Sequence, residues 1–188
     1  MNKGKIIVVS APSGAGKTSL LKKVFEVFPD LKFSVSATTR KKRINEVDGK
    51  DYFFIDEETF QNKIDNNEFA EWEMFYDLYY GTYKSQLISA IESGNNIVLE
   101  LDVKGALSIK MHYPEAKLVF IEPPSYETLV ERLKNRKTET EEEFQKRIQR
   151  AKMELNQKGN FDYLVVNDNF DFALKELIKI LNNILTKE

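Results

Sequence analysis

Ala11-Pro12-Ser13-Gly14-Ala15-Gly16-Lys17-Thr18 is the stretch on which the reading of this chain turns. An apolar run, Ile6-Ile7-Val8-Val9, precedes it. Leu20, Leu21, Val24, Phe25 and Phe28 follow at helical spacing. Strand, glycine-bearing loop, Lys-Thr and helix together form a phosphate-binding loop in the context that supports it. Backbone N–H groups in such a loop turn inward around a polyphosphate, and the helix N-terminus adds partial positive charge. Gly14 and Gly16 permit the backbone angles and the close approach. Lys17 is placed to reach the outer phosphates, and Thr18 offers a hydroxyl to Mg²⁺. The strict pattern begins with Gly; Ala11 stands there in this chain.

Working outward, buried strands are expected at Lys5 to Ser10, Ile97 to Asp102, Leu118 to Ile121 and Tyr163 to Val166. Phe33-Ser34-Val35-Ser36 alternates and reads as a further strand with one face buried. Helices are expected up to Phe28, stopped by Pro29, from an Asp56 N-cap to about Asn66, from Tyr83 to Ser93, through Ile109, and at the C-terminus. The aromatic stretch Phe69 to Tyr83 suits strands, with a turn expected at Gly81. From Tyr126 to Met153 the chain is strongly charged and reads as two helices around a mobile turn. A capping box is expected at Thr140 to Glu143.

The 188 residues suffice for one α/β domain with inserted lobes. A net charge of −2 gives no basic field for nucleic acid or an anionic membrane. The absence of cysteine points to a reducing, cytoplasmic setting. The first apolar run is too short for a signal peptide or a membrane span.

Three features could add chemistry to the loop. Arg40 and Arg43 are three apart in a basic, turn-rich segment; they can clamp a second phosphate or simply face solvent. Asp102 ends an apolar strand, where a Mg²⁺-directed carboxylate or a helix N-cap belongs. Arginines 132, 136, 147 and 150 line the charged segment, which reads either as a lid closing over phosphates or as a solvated hairpin. Two patterns mislead. Asn62-Lys63-Ile64-Asp65 and Asp102-Val103-Lys104-Gly105 match the N-K-x-D and D-x-x-G of GTPases, but in reversed order and with the first inside an amphipathic helix.

The sequence resembles the guanylate kinases, which transfer the γ-phosphoryl of ATP to GMP. The carrying stretches are Ser10 to Thr18, Phe33 to Arg40, Glu46 to Tyr52, Glu68 to Trp72, Tyr79 to Thr82, Pro123-Pro124-Ser125, Arg132 to Thr140 and Val166-Asn167-Asp168. The resemblance implies the P-loop nucleoside-monophosphate-kinase fold: a parallel-sheet core (about 1–34, 84–125 and 156–188), a small GMP-binding lobe (about 35–83) and a helical lid (about 126–155). It implies that Ser36, Arg40, Arg43 and Tyr52, with Tyr80 nearby, hold the GMP phosphate, that Glu71, Thr82 and Glu100 read the guanine edge, and that Glu46 supports the bound nucleotide. Residues Ala11 to Thr18 would hold ATP, with Asn167 by the adenine. Thr18 and Asp102 would organise Mg²⁺, and Arg132, Arg136 and Arg147 would be the lid arginines. The implied substrates are ATP and GMP, with dGMP an open alternative. Guanine presents N1–H and its amino group as donors, so a carboxylate is its fitting partner. Glu100, Lys104, Lys137 and Asn169 depart from the family's usual Asp, Gln, Gly and Asp.

Overall fold

The computed structural model describes residues 3–134 and 141–186. In chain order it opens with β1 (Ile6–Ser10), every residue of which is buried. The loop leads into α1 (Lys17–Val27), which stops at Phe28, just before Pro29. Two short strands, β2 (Lys32–Phe33) and β3 (Ala37–Thr38), precede a turn-rich excursion that returns as β4 (Phe53–Phe54). Helix α2 (Glu57–Asp65) starts where the Asp56 carboxylate accepts the Thr59 N–H at 2.7 Å. The hairpin β5 (Phe69–Phe75) and β6 (Leu78–Tyr83) runs into α3 (Lys84–Glu92). Then come β7 (Ile97–Leu101), α4 (Val103–His112) and β8 (Lys117–Glu122). Helix α5 (Tyr126–Lys134) is capped by Ser125, whose hydroxyl accepts the Thr128 N–H at 3.1 Å. The chain ends with α6 (Glu141–Leu155), β9 (Tyr163–Val166) and α7 (Phe170–Thr186).

Strands β2-β7-β1-β8-β9 form one all-parallel sheet. Alternate residues serve opposite faces, as the strand period requires. Ile7, Val9, Val98, Val119 and Val165 meet α1 and α7 on one side. Ile6, Val8, Ile97, Leu99 and Leu118 meet α3 and α4 on the other. A sheet covered on both faces needs continuous apolar strands, which explains the unbroken runs in the sequence. The α/β architecture expected from the sequence is therefore present. Its central strand is β1, flanked by β7 and β8, so the loop opens at the strands' C-terminal edge, where such sheets bind ligands.

The second sheet, β4-β3-β6-β5, is mostly antiparallel and folds over Ala37, Phe60 and Phe69. The Phe60 and Phe69 rings stack at 4.5 Å between centroids. Helices α5 and α6 close a third, small core of Leu129, Leu133 and Ala151 with Phe144 and Ile148.

Two local expectations change. The run Phe33 to Ser36 is not one strand. The chain leaves the parallel sheet after Ser34, and the Val35 backbone is bound on both sides by the Gln86 side-chain amide, at 2.9 and 2.7 Å, before β3 begins in the second sheet. Gly81 is not a turn. It lies inside β6 opposite Ala37 and Trp72, and a Cβ there would come 3.0 Å from the Phe60 and Phe69 rings. The hairpin turns instead at Tyr76 and Asp77, both with positive φ (49° and 58°), the signature of a tight two-residue connection. The lid turn and the Thr140 capping position lie outside the described residues.

Candidate active site

The loop between β1 and α1 is held in shape from both ends. Gly14 and Gly16 have φ of 92° and 91°, and Gly16 is the N-cap of α1. The Ala15 N–H donates to Pro12 O at 3.1 Å, closing a turn. Asn167, buried at the end of β9, donates its amide to Ala15 O at 2.7 Å. A Cβ on Gly16 would stand 2.4 Å from that amide nitrogen, so only glycine fits against Asn167. Asn167 thus braces the loop from behind.

Lys17 and Thr18 open α1. The Lys17 ammonium donates to Leu101 O at 2.6 Å and lies 3.9 Å from Glu100. The Thr18 hydroxyl donates to Glu100 Oε1 at 2.5 Å. The pairing of Val9 with Glu100 and of Ser10 with Leu101 in the parallel register explains this: the end of β7 stands beside the loop that follows β1. Asp102 lies one residue beyond β7 and is engaged elsewhere. One oxygen accepts the Gly105 N–H at 2.8 Å as the N-cap of α4, and the other pairs with Arg150. The D-x-x-G pattern is thus a helix cap. The N-K-x-D pattern lies within α2.

A basic cluster lies in the excursion between β3 and β4. Arg40 donates to both oxygens of Glu46, at 3.0 and 2.7 Å, and Glu46 also accepts the Arg43 N–H at 2.8 Å. The Arg40 guanidinium lies 5.3 Å from the centre of the Tyr52 ring, which meets Tyr80 edge-on. The bidentate pair lowers the Glu46 pKa and raises that of Arg40. Burial, with the Glu100 carboxylate nearby, pushes the Tyr52 phenol up to about 12, so it stays a hydrogen-bond donor. Lys22 of α1, Lys42, Arg43 and Asp51 line an open cavity of about 650 Å³ beside this cluster. Ser36 stands at the start of the second sheet, where its carbonyl accepts the Phe53 N–H at 2.9 Å.

Glu71 is buried in β5 opposite Thr82, whose hydroxyl donates to it at 2.6 Å. Its carboxyl is pushed up to about 7, first by burial, with Asp102 and Glu73 adding like charge. Gly105 brings the groups together: a Cβ there would meet Glu71 Oε2 at 2.9 Å and Asp102 Oδ1 at 3.1 Å. Glu73, two residues along β5, joins them. Its Oε2 is buried without a donor, Oε1 accepts from Lys104 at 3.2 Å, and the carboxyl as a whole interacts with that of Asp102. Burial and Asp102 together hold Glu73 well above the usual carboxylate range.

The helical segment reaches the loop. Arg147 of α6 donates to the Ser13 hydroxyl at 2.5 Å. Arg132 of α5 donates to Asn167 O at 3.0 Å. Leu129 and Leu133 lie close behind Gly14. Arg136, named with these from the sequence, lies outside the described residues.

The fold therefore links the loop to Glu100, Glu100 to Tyr52 and the Arg40–Glu46 pair, Glu71 to Asp102, and Arg132 and Arg147 to Asn167 and Ser13. Sequence reasoning missed Glu73 and counted Arg150 only among the arginines of the charged segment, without naming it as a site residue. Glu73 was findable, because the strand period puts residues 71 and 73 on one face. Arg150 was not, because its partners Asp102 and Phe75 are far away in sequence.

A model of the guanylate kinase family matches residues 3–184. A guanylate kinase of Caldanaerobacter subterraneus subsp. tengcongensis is 48% identical over 178 residues, which cover 95% of this chain and 86% of that protein. One of Thermotoga maritima is 44% identical, covering 96% and 87%. The crystal structure of guanylate kinase from Anaplasma phagocytophilum superposes with a TM-score of 0.79 at 28% identity. It covers all of this chain and 89% of the other.

Proposed function

This chain belongs to the guanylate kinase family, and from that premise we infer that it is an ATP:GMP phosphotransferase built around the site just described. It has the fold of the P-loop nucleoside-monophosphate kinases. The reaction moves the γ-phosphoryl of ATP to the phosphate of GMP, yielding ADP and GDP. The observation that carries the acceptor's identity is the buried Glu71–Thr82 pair. A carboxylate in that place accepts the N1–H and amino donors of guanine, a donor pair that adenine does not offer.

Phosphoryl transfer between two polyanions needs positioning and positive charge rather than a covalent nucleophile. In this reading the loop from Ala11 to Thr18 holds the donor's phosphates, and Lys17 neutralises the outer ones. Arg40, aimed by Glu46, and Arg43, with Ser36, Tyr52 and Tyr80, hold the acceptor phosphate. Tyr52 acts through a phenol that stays protonated. Arg132, Arg136 and Arg147 belong to a lid spanning about 126–155, which excludes water as it closes over the γ-phosphoryl. The Arg147–Ser13 bond supports that placement. The acceptor lobe spans about 35–83, and the remaining segments form the core. Asn167 acts on the donor site chiefly by bracing Ala15.

The geometry favours exchanging two roles expected from the sequence. Glu100, not Asp102, stands with Thr18 at the loop, and these two hard oxygen donors fit Mg²⁺. When bound there, the ion would neutralise charge on the donor's phosphates. Asp102, beside Glu71 and Gly105, belongs with the base readers. We assign the reaction to the cytoplasm. No helix among the described residues is long and apolar enough to cross a membrane.

The test is ADP release with Mg·ATP and a panel of AMP, CMP, UMP, GMP and dGMP. GMP is expected to be the strongly preferred ribonucleotide, with dGMP resolving the role of the 2′-hydroxyl. No turnover of GMP by pure protein would refute the assignment.

A further inference from the structure

Arg150 sits in α6, one turn from Arg147, and makes three contacts with three parts of the molecule. Its Nη2 donates to Asp102, the cap of α4 in the core. Its Nε donates to Glu154 on its own helix at 2.7 Å. Its guanidinium carbon lies 3.7 Å from the centre of the Phe75 ring, at the end of β5. A planar guanidinium can satisfy all three at once, with donors in its plane and a face on the ring.

The surroundings give this arrangement a function. The Glu71 and Asp102 carboxyls meet at Gly105, Glu73 lies against Asp102, and Glu154 adds a fourth carboxyl nearby. Among the described residues, the cations bonded to them are Lys104 and Arg150. The Lys104 side chain is 77% exposed and well screened, whereas that of Arg150 is 23% exposed. Arg150 therefore supplies most of the effective positive charge to this group. Through this side chain α6 touches both the end of β5 and the Asp102 carboxylate.

We propose that Arg150 is a positioning residue that couples the lid to guanine recognition, aiming the Asp102 carboxylate while docking α6 against Phe75. This rests on the reading of the site as one for GMP. Arg150 itself need not touch the nucleotide; it acts through Asp102 and through the placement of the hairpin end. Binding GMP and closing α6 then reinforce each other, because both draw on the same carboxylate and the same ring.

The test compares wild-type protein with Arg150→Met, Arg150→Lys and Phe75→Leu, measuring KM for GMP and for ATP separately and binding GMP by calorimetry. Arg150→Met is expected to raise KM for GMP about tenfold and to leave KM for ATP within about twofold. Arg150→Lys is expected to recover part of the loss, since it returns charge without the planar fork. Phe75→Leu, which leaves every charge in place, is expected to raise KM for GMP by a smaller factor. It also provides the test if the Met variant fails to fold. A GMP KM within about twofold of wild type in both the Met and Leu variants, or equal rises in both KM values, overturns the coupling. Wild-type protein that does not phosphorylate GMP would sink the underlying reading. Wild-type activity on GMP with both the Met and Leu variants unaffected sinks this inference alone.

Discussion

The Thr18 hydroxyl donates to Glu100 Oε1 at 2.5 Å, joining the first turn of α1 to the end of β7. Asp102, two residues further on, turns away to cap α4 and meet Arg150. Two acids separated by only one residue in the sequence thus take different partners. Glu100→Gln is expected to raise the Mg²⁺ concentration needed for half-maximal rate and to lower kcat by about 10²-fold. Asp102→Asn is expected to leave the Mg²⁺ requirement alone and raise KM for GMP. Mg²⁺ titrations of the two variants check this; the opposite pattern would return the metal role to Asp102.

Lys17 donates to Leu101 O and stands by Glu100, poised at the loop without belonging to any apolar core. Lys17→Ala is expected to reduce kcat by about 10²–10³-fold with little change in melting temperature. Steady-state rates and thermal melts on the same preparation separate chemistry from folding. Near-normal turnover would remove Lys17 from the mechanism.

Glu71 links pH to both stability and recognition. In the folded chain its carboxyl holds its proton up to about pH 7, against an ordinary value of 4.5. Between those values the folded state binds more protons than the unfolded state, so stability falls as pH rises from about 4.5 through about 7. Glu71→Gln is therefore expected to melt higher than wild type at pH 8, with the gap closing toward pH 5. The same variant is expected to raise KM for GMP by about 10²-fold while sparing ATP. In the wild type, GMP affinity is expected to rise as pH increases through about 7, because the ionised carboxylate is the better acceptor. Titration of the GMP phosphate near pH 6 must be measured alongside. Melts and calorimetry across pH 5–8 check both effects.

Gly81 packs beneath Phe60 and Phe69 with no room for a methyl group. Gly81→Ala is expected to destabilise the second sheet by about 1–3 kcal/mol. The loss is expected in a chemical denaturation midpoint, and KM for GMP should rise more than KM for ATP. An unchanged midpoint would mean that the two rings shift aside freely.

Local spacing made much of this protein legible. The run from Ile6 to Thr18 specified a buried strand, a glycine-bearing loop and a helix, because each depends on neighbouring residues: continuous apolar positions, positive-φ glycines and a 3.6-residue period. The Asp56 and Ser125 caps were readable for the same reason. Gly81 was misread as a turn because glycine's two uses, conformational freedom and close approach, look identical until the opposing rings are known. Phe33 to Ser36 divided between two sheets because a side chain 51 residues away, Gln86, binds the backbone of Val35.

The sequence alone determined the class of fold, the phosphate loop and the residue types available for a second nucleotide, since these rest on short-range pattern and chemistry. Tertiary structure alone decided which acid meets which partner. The parallel register of β1 with β7 puts Glu100 at Thr18. The end of β7 turns Asp102 toward Glu71 and Arg150. The approach of α6 to the core brings Arg147 to Ser13, across 134 residues of chain. Such pairings follow from strand order and helix docking, which depend on the burial of the whole core rather than on any one stretch.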